Sequence, residues 1–111
     1  MTGYIYIIGN PSFEKDVFKL GYFSGNKSDL EARYHTYYLK NSIVHGMYPV
    51  SDRKLAERNL FFKLKNYRIQ PNREFFKANI DFIKRTCEDV ANYINTDMSN
   101  NQANIINFVL Y

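Results

Sequence analysis

The order of hydrophobic and polar positions along the 111-residue chain predicts short strands interleaved with helices. Two runs of β-forming residues, Tyr4–Ile8 and Val17–Tyr22, predict strands, and the turn-forming residues between them predict a hairpin. A weaker run from Asn41 to Met47 predicts a third strand. All three runs are short, so the sheet is expected to be small.

Apolar positions at helical spacing predict three helices, at about 28–38, 51–65 and 80–94. Ser28 begins a capping-box pattern for the first helix, and Ser51, after Pro49, is a plausible cap for the second. The apolar stripe of the third helix contains Cys87, which is expected to be a small buried hydrophobe.

These elements predict an α/β (α+β) fold: a small three-stranded, mainly antiparallel sheet flanked by helices, in the order β-β-α-β-α-α. Residues 1–95 are expected to form one domain, which suits the length of the chain. Residues 96–111 are expected to form a tail, whose apolar end from Ile105 to Tyr111 could pack back on the domain.

Charge is distributed unevenly along the sequence. The net charge is +4, but residues 27–73 carry +6 (ten Lys or Arg against four Asp or Glu) and the remaining residues carry −2. A basic middle is typical of a surface that binds a polyanion, although a solvated basic surface gives the same pattern. The candidate DNA-binding residues are Lys27, Arg53, Arg58, Lys63, Lys65, Arg68 and Arg73.

The single cysteine, Cys87, excludes a disulfide framework within one chain and indicates a reducing compartment. No apolar run approaches the length of a membrane span, and no secretory signal is visible after Met1. The protein is therefore expected to be intracellular (cytoplasm, or nucleus of a host cell if viral), not secreted and without a membrane partner. No pattern indicates an oligomeric state.

Three charged residues lie where the pattern alone would place apolar ones. Glu57 falls within the apolar arc of the second helix, where a carboxylate must be paired, hydrated or metal-bound. Arg33 borders the aromatic stripe of the first helix, and Lys19 lies in the middle of the second strand beside Gly21. Each also has a structural interpretation: an ion pair for Glu57, snorkelling for Arg33 and protection of a sheet edge for Lys19.

Taken in order, these residues resemble a GIY-YIG nuclease domain, in particular the compact branch found in phages and large DNA viruses. The similarity covers about residues 3–95. It consists of Tyr4-Ile5-Tyr6, then Lys19-Leu20-Gly21, then Arg33 on one helix, Glu57 on the next, and Arg73-Glu74-Phe75-Phe76 in the place of a late Glu-Trp-Phe-like motif.

The resemblance implies a metal-dependent DNA endonuclease that hydrolyses phosphodiester bonds. It assigns Tyr6, Lys19, Arg33 and Tyr37 to catalysis and Glu57 to the metal, Mg²⁺ or Mn²⁺. In this interpretation Tyr6 orients or deprotonates the attacking water, and a nearby lysine favours its phenolate. His35 and His45 are alternative bases, although surface or core placement is the more common role for such residues.

The sequence also departs from the family pattern. The first motif has Tyr4 where Gly is usual, Lys19 replaces the tyrosine of the second motif, and the usual late Asn has no clear match, although Asn72 is near. Two alternatives follow. One is a non-catalytic DNA-binding module that retains the nuclease fold. The other is a protein-interaction or structural protein, whose ten Tyr and nine Phe serve a partner interface.

Overall fold

The computed structural model describes residues 1–97 and contains four strands and three α-helices. The strands are β1 (Gly3–Gly9), β2 (Val17–Phe23), β3 (Ile43–Val50) and β4 (Phe75–Lys77). The helices are α1 (Lys27–Tyr37), α2 (Arg53–Lys63) and α3 (Ile80–Asp97), and a single 3₁₀ turn, Lys65–Tyr67, follows α2.

The strands form one antiparallel sheet in the order β3-β1-β2-β4. The predicted α+β class with a mainly antiparallel sheet is confirmed, but the predicted number of three strands is wrong. The fourth strand has only three residues, too few to show a period of two, and it exists because it pairs with β2. The observed order is therefore β-β-α-β-α-β-α.

Strand β1, one of the two inner strands, is buried on both faces. This explains why its sequence is a nearly continuous run of apolar residues. Successive side chains of a strand point to opposite faces. Ile5 and Ile7 accordingly join the main core with α2 and α3, whereas Tyr6 and Ile8 join a smaller core with α1. The sheet thus lies between α1 on one side and α2 with α3 on the other. Cys87 is buried in the main core, as its apolar stripe predicted.

Both predicted serine caps are wrong, because a neighbouring side chain caps each helix instead. Asn26 caps α1: its side chain accepts a hydrogen bond from the amide of Asp29, and the Asp29 carboxylate accepts one from the amide of Asn26. The side chain of Asp52, one residue after the predicted cap, caps α2. Asn and Asp cap helices about as well as Ser does, and these two residues occupy the N-cap positions.

Strand β3 continues through Pro49 to Val50, past the predicted end at Met47. Because β3 is an edge strand, a proline there removes no hydrogen bond that the sheet needs. At the other end of the chain α3 extends to Asp97, past the predicted end. The predicted packing of Ile105–Tyr111 lies outside the described residues. Among residues 1–97, no helix has both the length and the apolar character required to cross a bilayer.

Candidate active site

A cleft of about 360 Å³ is lined by residues of α1, of α2 and of both faces of the sheet, since Tyr6 and Tyr22 lie on opposite faces. We call it the central cleft. It is lined by Tyr6 from β1, Lys19 and Tyr22 from β2, Arg33, Tyr34 and Tyr37 from α1, Glu57 from α2, and Glu74. The structure therefore brings together all five residues that the sequence assigned to catalysis and metal binding, from four separate elements. It adds three that were not assigned.

Tyr6 lies at the floor of the central cleft and is 3% exposed. Its ring lies over Gly21, which is directly opposite on β2, and a Cβ at Gly21 would come within 2.6 Å of the Tyr6 hydroxyl oxygen. The missing side chain of Gly21 leaves space above the strand, and the phenol of Tyr6 fills that space. The glycine is therefore needed to seat the tyrosine.

The Tyr6 hydroxyl shares a hydrogen bond with the hydroxyl of Tyr34, with the two oxygens 2.8 Å apart. Burial raises the pKa of Tyr6 far above its ordinary value of 10.0, and the hydrogen bond to Tyr34 raises it further. Arg33 acts in the opposite direction but does not offset these effects. The expectation that a nearby cation makes the Tyr6 phenolate accessible is therefore wrong: this tyrosine is a neutral hydrogen-bonding group.

Lys19 forms an ion pair with Glu74, with its ammonium nitrogen 3.2 Å from a carboxylate oxygen. The same nitrogen lies 5.7 Å from the centre of the Tyr34 ring and 5.2 Å from that of Phe75. These contacts hold the Lys19 side chain inside the central cleft, since a cation over aromatic faces is attracted to them. The alternative of an edge lysine does not apply, because β2 pairs on both sides at this position.

Arg33 and Tyr37 form the outer wall of the central cleft. The guanidinium carbon of Arg33 lies 5.7 Å from the centre of the Tyr34 ring, so the aromatic face orients the planar fork. Tyr37 is 73% exposed, and its ring contacts that of Tyr34 at a centroid distance of 6.0 Å. Both side chains are thus held by one buried tyrosine and remain accessible to solvent.

Glu57 is half-buried on α2 and faces the central cleft. Burial raises the pKa of its carboxyl above the ordinary value of 4.5, and the negative charge of Glu74 raises it further. A hydrogen bond from the backbone of Tyr22 and the positive charges of Arg68 and Lys19 counteract this only in part. The site therefore holds a carboxyl group that ionises less readily than it would in water.

Sequence reasoning missed Tyr22, Tyr34 and Glu74 as lining residues. Tyr34 was assigned to an aromatic stripe, and its second role depends on a hydrogen bond to a residue 28 positions away. Glu74 was noted as part of the late Arg-Glu-Phe-Phe motif but received no role. Each of these roles depends on contacts between elements that are distant in the sequence, so no local pattern could have identified the three residues.

The two histidines and Asn72 do not line the central cleft. His35 is exposed on α1. His45 lies on β3, where its ring packs edge-on against Phe18 at 5.3 Å. Burial lowers the pKa of His45, and Lys84 lowers it further. Neither histidine is therefore placed to act as the base of this site.

The seven candidate DNA-binding residues divide into two groups. Those exposed to solvent are Lys27, Arg58, Lys63, Lys65 and Arg73. The other two are half-buried and make internal hydrogen bonds of 2.6 Å: Arg53 donates to the carbonyl of Thr2, and Arg68 donates to that of Arg73. Arg68 also stacks on Phe61 at 4.8 Å. Arg53 and Arg68 therefore hold segments of the chain in place.

Within residues 1–97 no cluster of three or more His, Cys, Asp or Glu side chains is close enough to hold a metal ion. A metal at the central cleft would therefore be bound by one or two carboxylates and would retain water ligands. Mg²⁺ commonly binds in this way, since it gives up its waters reluctantly.

Comparison with known proteins identifies the family of the chain. A family model described as the T5orf172 domain matches residues 3–92, from the start of β1 to most of α3. This domain is phage-associated and is related to proteins with nuclease-like folds. Neither the curated proteins nor the solved structures gave a match to the chain. Because the matched segment contains all four strands and every residue of the central cleft, the chain belongs to the T5orf172 domain family.

Proposed function

We propose that the protein is a metal-dependent endonuclease of the GIY-YIG type that hydrolyses phosphodiester bonds in DNA. The observation that carries this proposal is the convergence on one cleft of Tyr6, Lys19, Arg33, Tyr37 and Glu57. They come from two strands and two helices. Residues that merely stabilise a fold have no reason to assemble the cations, phenols and carboxylate that phosphodiester hydrolysis requires.

The two cations of the central cleft bind and stabilise the phosphate in this proposal. Arg33 makes no ion pair with a carboxylate of the described residues, so its fork is available for a bidentate contact with phosphate oxygens. Lys19 is paired with Glu74, and an incoming phosphate competes with Glu74 for the ammonium group. Together they offset the charge that develops on the phosphate during attack.

The residues present fit a divalent cation. Glu57 and Glu74 line the same cleft, and burial, followed by the charge of Glu74, raises the pKa of the Glu57 carboxyl, so a bound cation would favour its charged form. Glu57 would hold the ion, with Glu74 close enough to influence it. Mg²⁺ or Mn²⁺ bound there would polarise a phosphate oxygen and neutralise its charge.

Tyr6 acts as a neutral phenol rather than as the base. Because its pKa is raised by burial and by Tyr34, it keeps its proton at neutral pH. Its hydroxyl is held in a fixed position by the bond to Tyr34, and it can orient water or a phosphate oxygen by hydrogen bonding. The proton of the attacking water must then be taken by solvent or by the phosphate.

A plasmid-nicking assay tests the proposed function. Wild-type protein is incubated with supercoiled plasmid in Mg²⁺, in Mn²⁺ and in excess chelator, and a Glu57→Ala variant is treated alongside. We expect nicking that requires the metal and Glu57. Nicking that persists in chelator, or equally in the variant, would remove the basis for the proposal.

A second candidate is a DNA-binding module without catalysis. The observation that favours it is that two site residues are already engaged: Tyr6 is buried, and Lys19 is paired with Glu74. Wild-type protein that binds plasmid DNA but nicks it in neither metal would establish this candidate over the nuclease.

A further inference from the structure

A second cleft adjoins the central cleft along α2. It has a volume of about 450 Å³ and is lined by Tyr22, Lys54, Glu57, Arg58 and Phe61. We call it the α2 groove. Tyr22 and Glu57 line both spaces, so the α2 groove and the central cleft meet at the Glu57 carboxylate.

The sequence of α2 explains why this groove is basic. Positions 54, 57, 58 and 61 have the spacing i, i+3, i+4, i+7, which places them on one face of a helix. The adjacent face carries Ala56 and Leu60, which are buried in the main core. Lys54 and Arg58 are exposed, so both cations project beside the groove, where Glu57 is the single acidic lining residue.

Two other surfaces of the described residues are less favourable for a polyanion. Among its described side chains, helix α3 carries more acidic than basic residues: Asp81, Glu88 and Asp89 against Lys84 and Arg85. The loop between β1 and β2 contains Glu14 and Asp16 beside Lys15. A phosphate chain leaving the central cleft is therefore repelled in these directions and attracted along α2.

We propose that the α2 groove binds the DNA strand next to the scissile phosphate, with Lys54 and Arg58 in contact with the neighbouring phosphates. This rests on the proposed function, because it places the scissile phosphate at Glu57. Phosphate contacts position a strand without reading its sequence. The groove therefore sets which phosphate lies at Glu57 and gives no base specificity.

The first test measures DNA binding without divalent metal, so that it does not depend on cleavage. Affinity for a labelled duplex is measured across a series of salt concentrations for wild type and for a Lys54→Ala/Arg58→Ala variant. Each lost phosphate contact lowers the slope of log affinity against log salt by about 1. We expect the slope to fall by about 2 and binding at low salt to weaken roughly tenfold.

A matched control removes the same charge elsewhere. Lys15→Ala/Arg85→Ala changes two exposed cations outside the groove and should keep the wild-type slope. A second measurement uses the wild-type protein. Its lysines are acetylated with and without duplex, and mass spectrometry then measures the extent of acetylation at each lysine. Lys54 should be protected by DNA and Lys15 should not.

The outcomes separate this inference from the proposed function. The inference is overturned, even if the protein is a nuclease, by either of two results. One is a wild-type slope of log affinity against log salt in the Lys54→Ala/Arg58→Ala variant, and the other is equal acetylation of Lys54 with and without DNA. Protection of Lys54 with loss of slope supports the groove, even if wild-type protein never cleaves. Wild-type protein that binds no DNA overturns both.

Discussion

At the scale of single residues, the central cleft changes the chemistry of two groups in a way that suits metal-assisted hydrolysis. Tyr6 is kept neutral by burial and by its bond to Tyr34. The pKa of the Glu57 carboxyl is raised, since burial and Glu74 both disfavour its charged form. The first group can only donate or accept hydrogen bonds, and the second gains most from a bound cation.

Replacing Tyr6 with Phe tests whether its hydroxyl contributes to the reaction. Losing one well-placed hydrogen-bonding group in an active site lowers the rate by about a hundredfold. We expect such a loss in the rate of single-turnover cleavage by Tyr6→Phe. In the wild-type protein, we expect the cleavage rate to show no rise with pH that is attributable to ionisation of a tyrosine. Tyr4→Phe, on the same strand but outside the central cleft, is the matched control. A wild-type rate in Tyr6→Phe would contradict the role.

Replacing Glu57 with Gln should stabilise the folded protein at neutral pH. A raised carboxyl pKa means that the stabilising contribution is present below the ordinary value of 4.5 and is lost as pH rises through the folded value. Glutamine has nearly the same shape as glutamate, and its side-chain oxygen can still accept the hydrogen bond from the backbone of Tyr22. It carries no charge, so burial does not penalise it in the same way. Thermal unfolding at neutral pH should show a midpoint about 1–3 °C higher.

This gain should shrink as the pH falls toward 4.5, where the wild-type carboxyl also becomes neutral. A Glu88→Gln variant on the exposed face of α3 should not show the gain. A Glu57→Gln protein that is less stable than wild type at neutral pH would show that the carboxylate is already well compensated.

The sequence singled out five of the residues that line the central cleft, but it did not predict their chemical states. Lys19, Arg33 and Glu57 stood out because charge interrupted an apolar pattern. The neutral state of Tyr6 depends on Tyr34, and the raised pKa of Glu57 depends on Glu74. These partners come from other elements, so only the tertiary structure reveals them.

At the scale of elements, α1 supplies Arg33, Tyr34 and Tyr37, and its position is set by a cap that the sequence pattern misassigned. Ser28 and Asn26 lie two residues apart, and each is followed three residues later by an acidic residue. Local pattern therefore cannot choose between them. The structure chooses Asn26, whose side chain reaches the Asp29 amide at 2.9 Å.

The two candidate caps give an internally controlled test. Removing a functional cap costs about 1 kcal/mol. Asn26→Ala should therefore lower the thermal midpoint by several degrees, roughly 4–8 °C for a domain of this size. Ser28→Ala should have little effect, because it lies inside the first turn. An equal or larger loss in Ser28→Ala, measured by the same unfolding curves, would contradict the assignment.

The strands show the same limit of local pattern. Strands β1 and β2 were predictable because they alternate or are buried over several residues, whereas β4 has three residues. That short strand is stabilised by pairing with β2 and by Arg68, whose guanidinium lies 5.7 Å from the ring of Phe76. Such long-range support has no sequence signature.

At the scale of the whole molecule, the basic stretch from 27 to 73 contains α1, α2 and the loop before β4, which surround the central cleft. Binding of duplex DNA should therefore weaken steeply with salt, because each neutralised phosphate releases counterions. Glu57→Ala should bind at least as tightly as wild type, since it removes a negative charge. Affinities measured from low to moderate salt test this, and a flat dependence would exclude an electrostatic interface.

The proposed nuclease activity depends most on Glu57, and single-turnover cleavage of a labelled duplex in Mg²⁺ tests it most directly. Wild type, Glu57→Ala and Glu88→Ala are compared, the last as a carboxylate removed far from the central cleft. We predict that wild type and Glu88→Ala cleave at similar rates and that Glu57→Ala binds the duplex without cleaving it. Cleavage by Glu57→Ala at the wild-type rate would contradict the assignment of the active site.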